Sequence, residues 1–241
     1  MRWRVWFDRL IVLLILLAAW QAGSLWLGDY WLSTPWSVAS RFVASLLNGE
    51  LIFHGSYTVN EAVVGCVIGG VPAVLLPFLL RRHPVIVAIL DPFMVGGYGA
   101  PKLAFAPLFI LWFGIGVESK IAMGTLSCFF PVVLSAAAGM RQIDGVLIRV
   151  GRSFRLSTSQ MVTKIYLPAM REPIVNGVRL GMGVAMIGTL LAETKLSNKG
   201  IGFMIIDAYN TFDMPRMYAV LLMLFVISIG ANALVSRASR S

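Results

Sequence analysis

The sequence predicts an all-α membrane protein with about six transmembrane helices, each about 20 apolar residues long. Of its 241 residues, 58% are hydrophobic and 13% charged, far from the balance of a soluble domain. Charge-free apolar runs recur along the whole chain, so one membrane domain is the natural count. A net charge of +9 would suit nucleic acid, but the basic residues interrupt apolar spans instead of lining an aromatic-laced groove. Nucleic acid is therefore excluded as a partner, and anionic membrane lipid takes its place.

Residues 10–28, free of charge between Arg9 and Asp29, read as the first span, giving an N-terminal unit over 1–29. Arg2 and Arg4 also suit the basic start of a secretory signal, but no clear small-residue cleavage site follows, which favours an uncleaved helix. Residues 30–57 form an interfacial segment on the outer side, with Tyr30, Trp31, Trp36 and Tyr57 at headgroup level. Within it, Trp36–Leu47 reads as a short surface helix capped near Ser33-Thr34-Pro35. The core then runs over 58–236. Ala62–Leu80 is the second span, and its Gly65-x-x-x-Gly69 is a packing signal. Arg81-Arg82-His83 is a basic turn, with His83 a solvated residue in place of a ligand.

Residues 84–117 are a third element broken at Gly96, Gly97, Gly99 and Pro101. Lipid tolerates irregular backbone only under a cover of protein or water, so the break is expected to face the bundle interior. Lys102 follows it, either snorkelling or lining a polar pathway. Ile121–Met140, Pro173–Ala192 and Met217–Ser236 are the fourth, fifth and sixth spans, and 237–241 is a tail. Cys66 and Cys128 sit inside spans as small buried side chains, with no disulfide framework or metal site indicated. Thirteen of the twenty Lys and Arg fall on one side of this arrangement, five on the other, and two within spans. The positive-inside rule then puts both termini in the cytoplasm.

The fifth span carries two stripes. Gly177, Gly181, Ala185, Gly188 and Ala192 invite a close neighbouring helix. Arg179, Met182, Met186, Thr189 and Glu193 form a polar, Met-lined stripe about 120° away. Arg179 either snorkels or has a function, and ionisable groups inside spans are functional candidates. Beyond Glu193, Gly200 and Gly202 permit a tight turn before a short helix over Phe203–Tyr209.

Between the fourth and fifth spans lies a cytoplasmic loop over 141–172. Its heart, Arg149–Pro168, sets Leu147, Val150, Phe154, Met161 and Ile165 at mostly helical spacing against Arg149, Arg152, Arg155, Ser157, Ser159 and Lys164. Leu156-Ser157-Thr158-Ser159 suits a break between two short helices, and Pro168 is expected to end the second. Such a loop is either an interfacial helix on anionic lipid or a docking surface for a soluble partner.

Several chemistries are missing. There is no phosphate-binding Gly-rich loop with Lys-Ser/Thr, no Ser-His-Asp arrangement and no paired-carboxylate or metal motif. An enzyme is the weaker class. A stand-alone carrier stays open, although no counterpart of the break at 96–101 is found in the other half. A membrane scaffold without transport is a further alternative.

The loop and its flanks resemble the permease subunit of a binding-protein-dependent ABC importer, in the nitrate/sulfonate/taurine/bicarbonate branch. Ile165-x-Leu167-Pro168 matches the second half of that family's Glu-Ala-Ala loop. In the first half Arg149, Val150 and Gly151 stand at Glu-Ala-Ala, and Arg155 stands at a glycine. Ala106-Pro107-Leu108-Phe109-Ile110-Leu111-Trp112-Phe113-Gly114-Ile115-Gly116 resembles the family's proline-led span, and Ala192-Glu193, Gly200-Ile201-Gly202 and Asp207-Ala208-Tyr209-Asn210 follow in the family's order. The resemblance extends over roughly 55–235.

It implies the type I ABC importer permease (MetI-like) fold in a bacterial cytoplasmic (inner) membrane. It implies no cofactor on this chain, with ATP and Mg on cytoplasmic ATP-binding subunits. Those would dock through Arg149, Gly151, Arg152, Phe154, Arg155, Leu156, Ser157, Ser159, Leu167 and Pro168. It further implies a second permease copy or a homologous permease, and a periplasmic or lipoprotein solute-binding protein. Lys102, Arg179, Met182, Met186, Thr189 and Glu193 would line the translocation path of a small, anionic solute, and Gly200 and Gly202 would belong to the outer gate.

Overall fold

Apolar runs in lipid must satisfy their own backbone, and helices are the way an open chain does so. The computed structural model describes residues 2–28 and 30–238, and every regular element among them is helical. Met1, Asp29 and the end of the expected tail, 239–241, lie outside the described residues. Helix α1 is Arg2–Leu27, α2 Pro35–Leu47, α3 Glu50–Leu80, α4 Pro84–Gly99 and α5 Ala106–Phe113. Then come α6 (Val117–Arg141), α7 (Gly145–Ser153), α8 (Thr158–Met161), α9 (Leu167–Leu196), α10 (Ile201–Asn210) and α11 (Met214–Ala238). Five helical runs are long and apolar enough to cross a membrane. The pair Pro84–Gly99 and Lys102–Phe113, bent by 92°, brings the number to six if it is one span.

The core is a trio with α6 in the middle. Half of its most apolar window is buried, against 6% for α1. The reason lies in missing side chains. A Cβ on Gly65 would come within 2.9 Å of the Ile121 carbonyl, and one on Gly69 would strike the carbonyl of Thr125. On an adjoining face of α6, Cβ atoms on Gly177 and Gly181 would sit 2.6 Å from Ser135 and Val132, and one on Gly188 would strike Ser127 Oγ. The two glycine patterns of the sequence therefore have one target. Cys66 of α3 and Cys128 of α6 meet in this contact as free thiols, Sγ to Sγ 3.2 Å. Helix α1 leans on the bundle through Trp20, whose indole N–H donates to Ser33 O (3.0 Å).

Two boundaries differ from the sequence reading. Helix α3 starts at Glu50, so residues 50–57 belong to it and not to an interfacial segment. Gly49 turns the chain with φ 82°, and Asn48 Oδ1 accepts from Glu50 N–H (2.9 Å), which starts the helix early. Its polar Thr58 and Glu61 are buried in contacts and so do not break it. The second difference is at Pro168, which does not end a helix. One wide π-turn, Val162–Tyr166, joins α8 to α9, and a proline just after such a turn forfeits no ladder bond. Pro173 lies inside α9, its ring filling the space left by Gly139 of α6. The surface helix α2 is as expected: Thr34 Oγ1 accepts from Ser37 N–H (3.2 Å) and Pro35 occupies the first turn.

Gly69→Val should separate α3 from α6 and cost about 1–3 kcal/mol, read as a lower Tm in detergent. Gly230→Ala in α11, where nothing lies within 4 Å, should be neutral or raise Tm through helix propensity.

Candidate functional site

At the loop end, α7 closes with two backbone bonds: Arg155 N–H to Arg152 O (2.9 Å) and Leu156 N–H to Gly151 O (3.1 Å). This is the Schellman pattern, whose residue after the cap adopts the left-handed conformation. Arg155 holds it, with φ 49°. The family's glycine at this position thus answers a backbone requirement, since Arg155 is exposed and packs no neighbour closely. Gly151, by contrast, is a packing residue. It is buried where α7 crosses the π-turn, and a Cβ there would strike Ile165 and come within 2.6 Å of Met161 Sδ.

Ser157 starts α8 by a capping box with Gln160: Gln160 N–H donates to Ser157 Oγ (3.3 Å) and Ser157 N–H to Gln160 Oε1 (2.9 Å). Met161 and Ile165 thus turn inward, while Leu147, Val150 and Phe154 stay 47%, 46% and 76% exposed in one row. Arg149, Arg152, Ser159, Leu167 and Pro168 are exposed around it, and Leu156 is half-buried. Arg82 ties the loop to the bundle, donating to Thr158 Oγ1 (2.8 Å).

The polar stripe of α9 splits. Fourteen residues turn through about 1,400°, only some 40° short of four full turns, so the stripe stays on one face and it is the neighbouring helices that change along it. Arg179, Met182 and Met186 line a groove of about 560 Å³ between α9 and α11. Thr189 and Glu193 are instead buried at the α3 and α6 side. Lys102 lies in neither place. It closes the C-terminus of α4, donating to Tyr98 O (2.6 Å) and standing over the rings of Tyr98 and Phe130. At the break Gly97 meets the Phe130 ring, but Gly96 and Gly99 have nothing within 4 Å. The break is thus covered on one side only within a single chain, not turned wholly into the bundle.

At the far end Glu193 organises the entry to α10. The first turn of a helix exposes N–H groups that a capping side chain normally satisfies, and Gly200 offers none. The partners come from other helices. Gly200 N–H donates to His54 Nδ1 (3.1 Å), Ile201 N–H to Thr58 Oγ1 (2.8 Å) and Gly202 N–H to Glu193 Oε2 (2.7 Å). Thr58 Oγ1 in turn donates to Glu193 Oε1 (2.7 Å). A Cβ on Gly200 would strike the Glu193 carboxylate, and its φ of 99° also demands glycine.

Glu61 is buried on α3 one turn from Thr58, and its Oε2 has no hydrogen-bond partner among the described residues. Buried Lys120, in the first turn of α6, donates to Ile115 O (2.6 Å) and Gly116 O (2.9 Å). Arg216 of α11 bridges Glu50 (2.7 Å) and Asp207 (2.6 Å). A cavity of about 650 Å³ opens beside α10, lined by Lys195, Ser197, Asn198 and Asn210 among others.

Sequence reasoning missed His54, Thr58 and Glu61, and it missed Arg216. The signal for the first three was present: Gly200 precedes a helix without any capping side chain, so its donors had to be met from elsewhere.

A trio of glycine-packed membrane helices, a span bent in mid-course and a lone guanidinium beside an open groove are the features of a polytopic transport subunit. The chain belongs to the family described as binding-protein-dependent transport system inner membrane component, matched over residues 62–241. It is 32% identical over 224 residues to the permease SsuC of Bacillus subtilis (strain 168), named for aliphatic sulfonates transport, covering 92% of this chain and 81% of that one. The taurine transport system permease TauC of Escherichia coli (strain K12) is 32% identical over 180 residues, 73% and 64% of the two chains. The riboflavin transport system permease RibX of Chloroflexus aurantiacus is 29% identical over 221 residues, 91% and 82%. The chain is thus an all-α, multi-pass inner-membrane permease subunit of a type I ABC importer, and a stand-alone carrier is not favoured.

Arg155→Gly should stabilise the loop by about 1 kcal/mol, the cost of a side chain in the left-handed region, read as a raised Tm. Thr58→Val should leave the Ile201 N–H and a Glu193 lone pair unmet and cost about 1–3 kcal/mol. Hydrogen exchange at α10 should rise in that variant before exchange in α6 does.

Proposed function

We propose that this subunit forms the path for a small organic anion of the sulfonate class, driven by ATP hydrolysed on separate subunits docked at the α7–α8 loop. The exposed row of Leu147, Val150 and Phe154 carries the reading. An apolar row on a short helix ringed by Arg149, Arg152 and Arg155 suits a protein groove better than water. The left-handed turn at Arg155 and the Gly151 contact hold that row in a fixed direction. ATP and Mg belong to the docked subunits.

The excess of arginine at the loop end supports a cytoplasmic placement of the loop and both termini. The far end then faces the periplasm. There the cavity beside α10, with Gly200 and Gly202 at its entry, serves as the outer gate opposite a solute-binding protein. A second permease copy, or a homologous permease, completes the path and covers the exposed side of the α4–α5 break. The solute class follows the relatives named for sulfonates and taurine together with the guanidinium of Arg179. Transport follows if the docked ATPase prefers one of two arrangements of the loop, since a ligand shifts an equilibrium only by its differential affinity.

The test is co-purification of the tagged chain from its native membrane, with ATPase activity measured on the eluate. A stoichiometric ATPase that is lost from Phe154→Asp, with Tm unchanged, is the expected result. A chain that comes down alone and still moves solute in vesicles would overturn the reading.

A further inference from the structure

We propose that the groove between α9 and α11 is an oxyanion subsite, with Arg179 holding the head of the solute and an apolar wall holding a short aliphatic tail. The proposal rests on the transport reading above. Arg179 lies on a membrane-crossing helix, about 21 Å from Glu193 and about 12 Å from Arg171. A guanidinium at such a depth is costly without a partner. Its Nε is buried and has no acceptor among the described residues. No Asp or Glu lines the groove, which leaves its charge uncompensated there.

The polar residues near it are of one kind. Asn176, one turn away on α9, and Ser228 on α11 can each donate to an oxyanion. A planar guanidinium matches two oxygens of a sulfonate or carboxylate at once. Met182, Leu190 and Leu224 supply the apolar wall, and about 560 Å³ is the size of a small-molecule site. With no acid to receive an ammonium group, the groove selects simple alkane anions over aminated ones. A lipid phosphate shares the chemistry of an anion with a tail, but headgroups sit at the interface and Arg179 lies inside the span.

The test uses the purified full chain in phosphatidylcholine nanodiscs, titrated with ethane-, butane- and hexanesulfonate by calorimetry. Affinity should rise about fourfold per added methylene, as burial of each CH₂ predicts. Arg179→Gln should weaken hexanesulfonate at least tenfold, Arg179→Lys less, and Ser228→Ala about threefold, while Arg9→Gln on α1 changes nothing. Taurine should bind more weakly than ethanesulfonate.

Absence of binding by the wild type would overturn the subsite, as would equal affinity in Arg179→Gln. Loss of hexanesulfonate binding in phosphatidylglycerol nanodiscs would assign the groove to a lipid headgroup and also overturn it. Co-purification of an ATPase does not pass through Arg179, so the permease reading stands or falls separately.

Discussion

The close approach of α3 and α9 to adjoining faces of α6 is the constraint on which the structure depends. In lipid the hydrophobic effect gives helices no reason to associate, so van der Waals contact between backbones must do it. Glycines at 65 and 69 on one helix and at 177, 181 and 188 on another remove the side chains that would keep those backbones apart. Everything functional hangs from this trio. α10 is held by α3 and α9 together, the groove of Arg179 is a face of α9 turned away from α6, and the second half of the loop runs directly into the start of α9.

The far end shows how a membrane protein meets a soluble protein's problem by other means. A helix start in water would carry Ser, Thr or Asp at its cap. Here that position must be glycine, because the Glu193 carboxylate occupies the space of its side chain. The three first N–H groups are met by His54, Thr58 and Glu193 instead. This ties the conformation of α10 to two core helices. A cap within its own chain segment would have left it independent.

The glycine stripes were legible in the sequence because they obey a single spacing on a single helix. The helical break near Leu156 and the α2 cap were legible for the same reason, each resting on neighbours in sequence. The polar stripe of α9 was only half legible. Its spacing was read correctly, but different helices stand beside its two ends, so Arg179 and Glu193 have unrelated surroundings. Lys102 and Lys120 each satisfy carbonyls close by, of α4 and of the turn before α6, a role that depends on where the chain turns and not on composition. Sequence shows only that an arginine at 155 stands at a glycine of the family pattern, and the backbone angle reveals what the position asks for.

The run from Thr158 to Lys195 is helical for 38 residues, counting its one wide turn. At 1.5 Å per residue it is a rod about 57 Å long. It begins under the buried contact of Gly151 and ends next to Glu193. On a rod of that length a tilt of one degree displaces the tip by about 1 Å. Displacements of that size are comparable to the margins of the hydrogen bonds that hold α10. Geometrically, the loop end and the Glu193 end of this rod are the two ends of one lever.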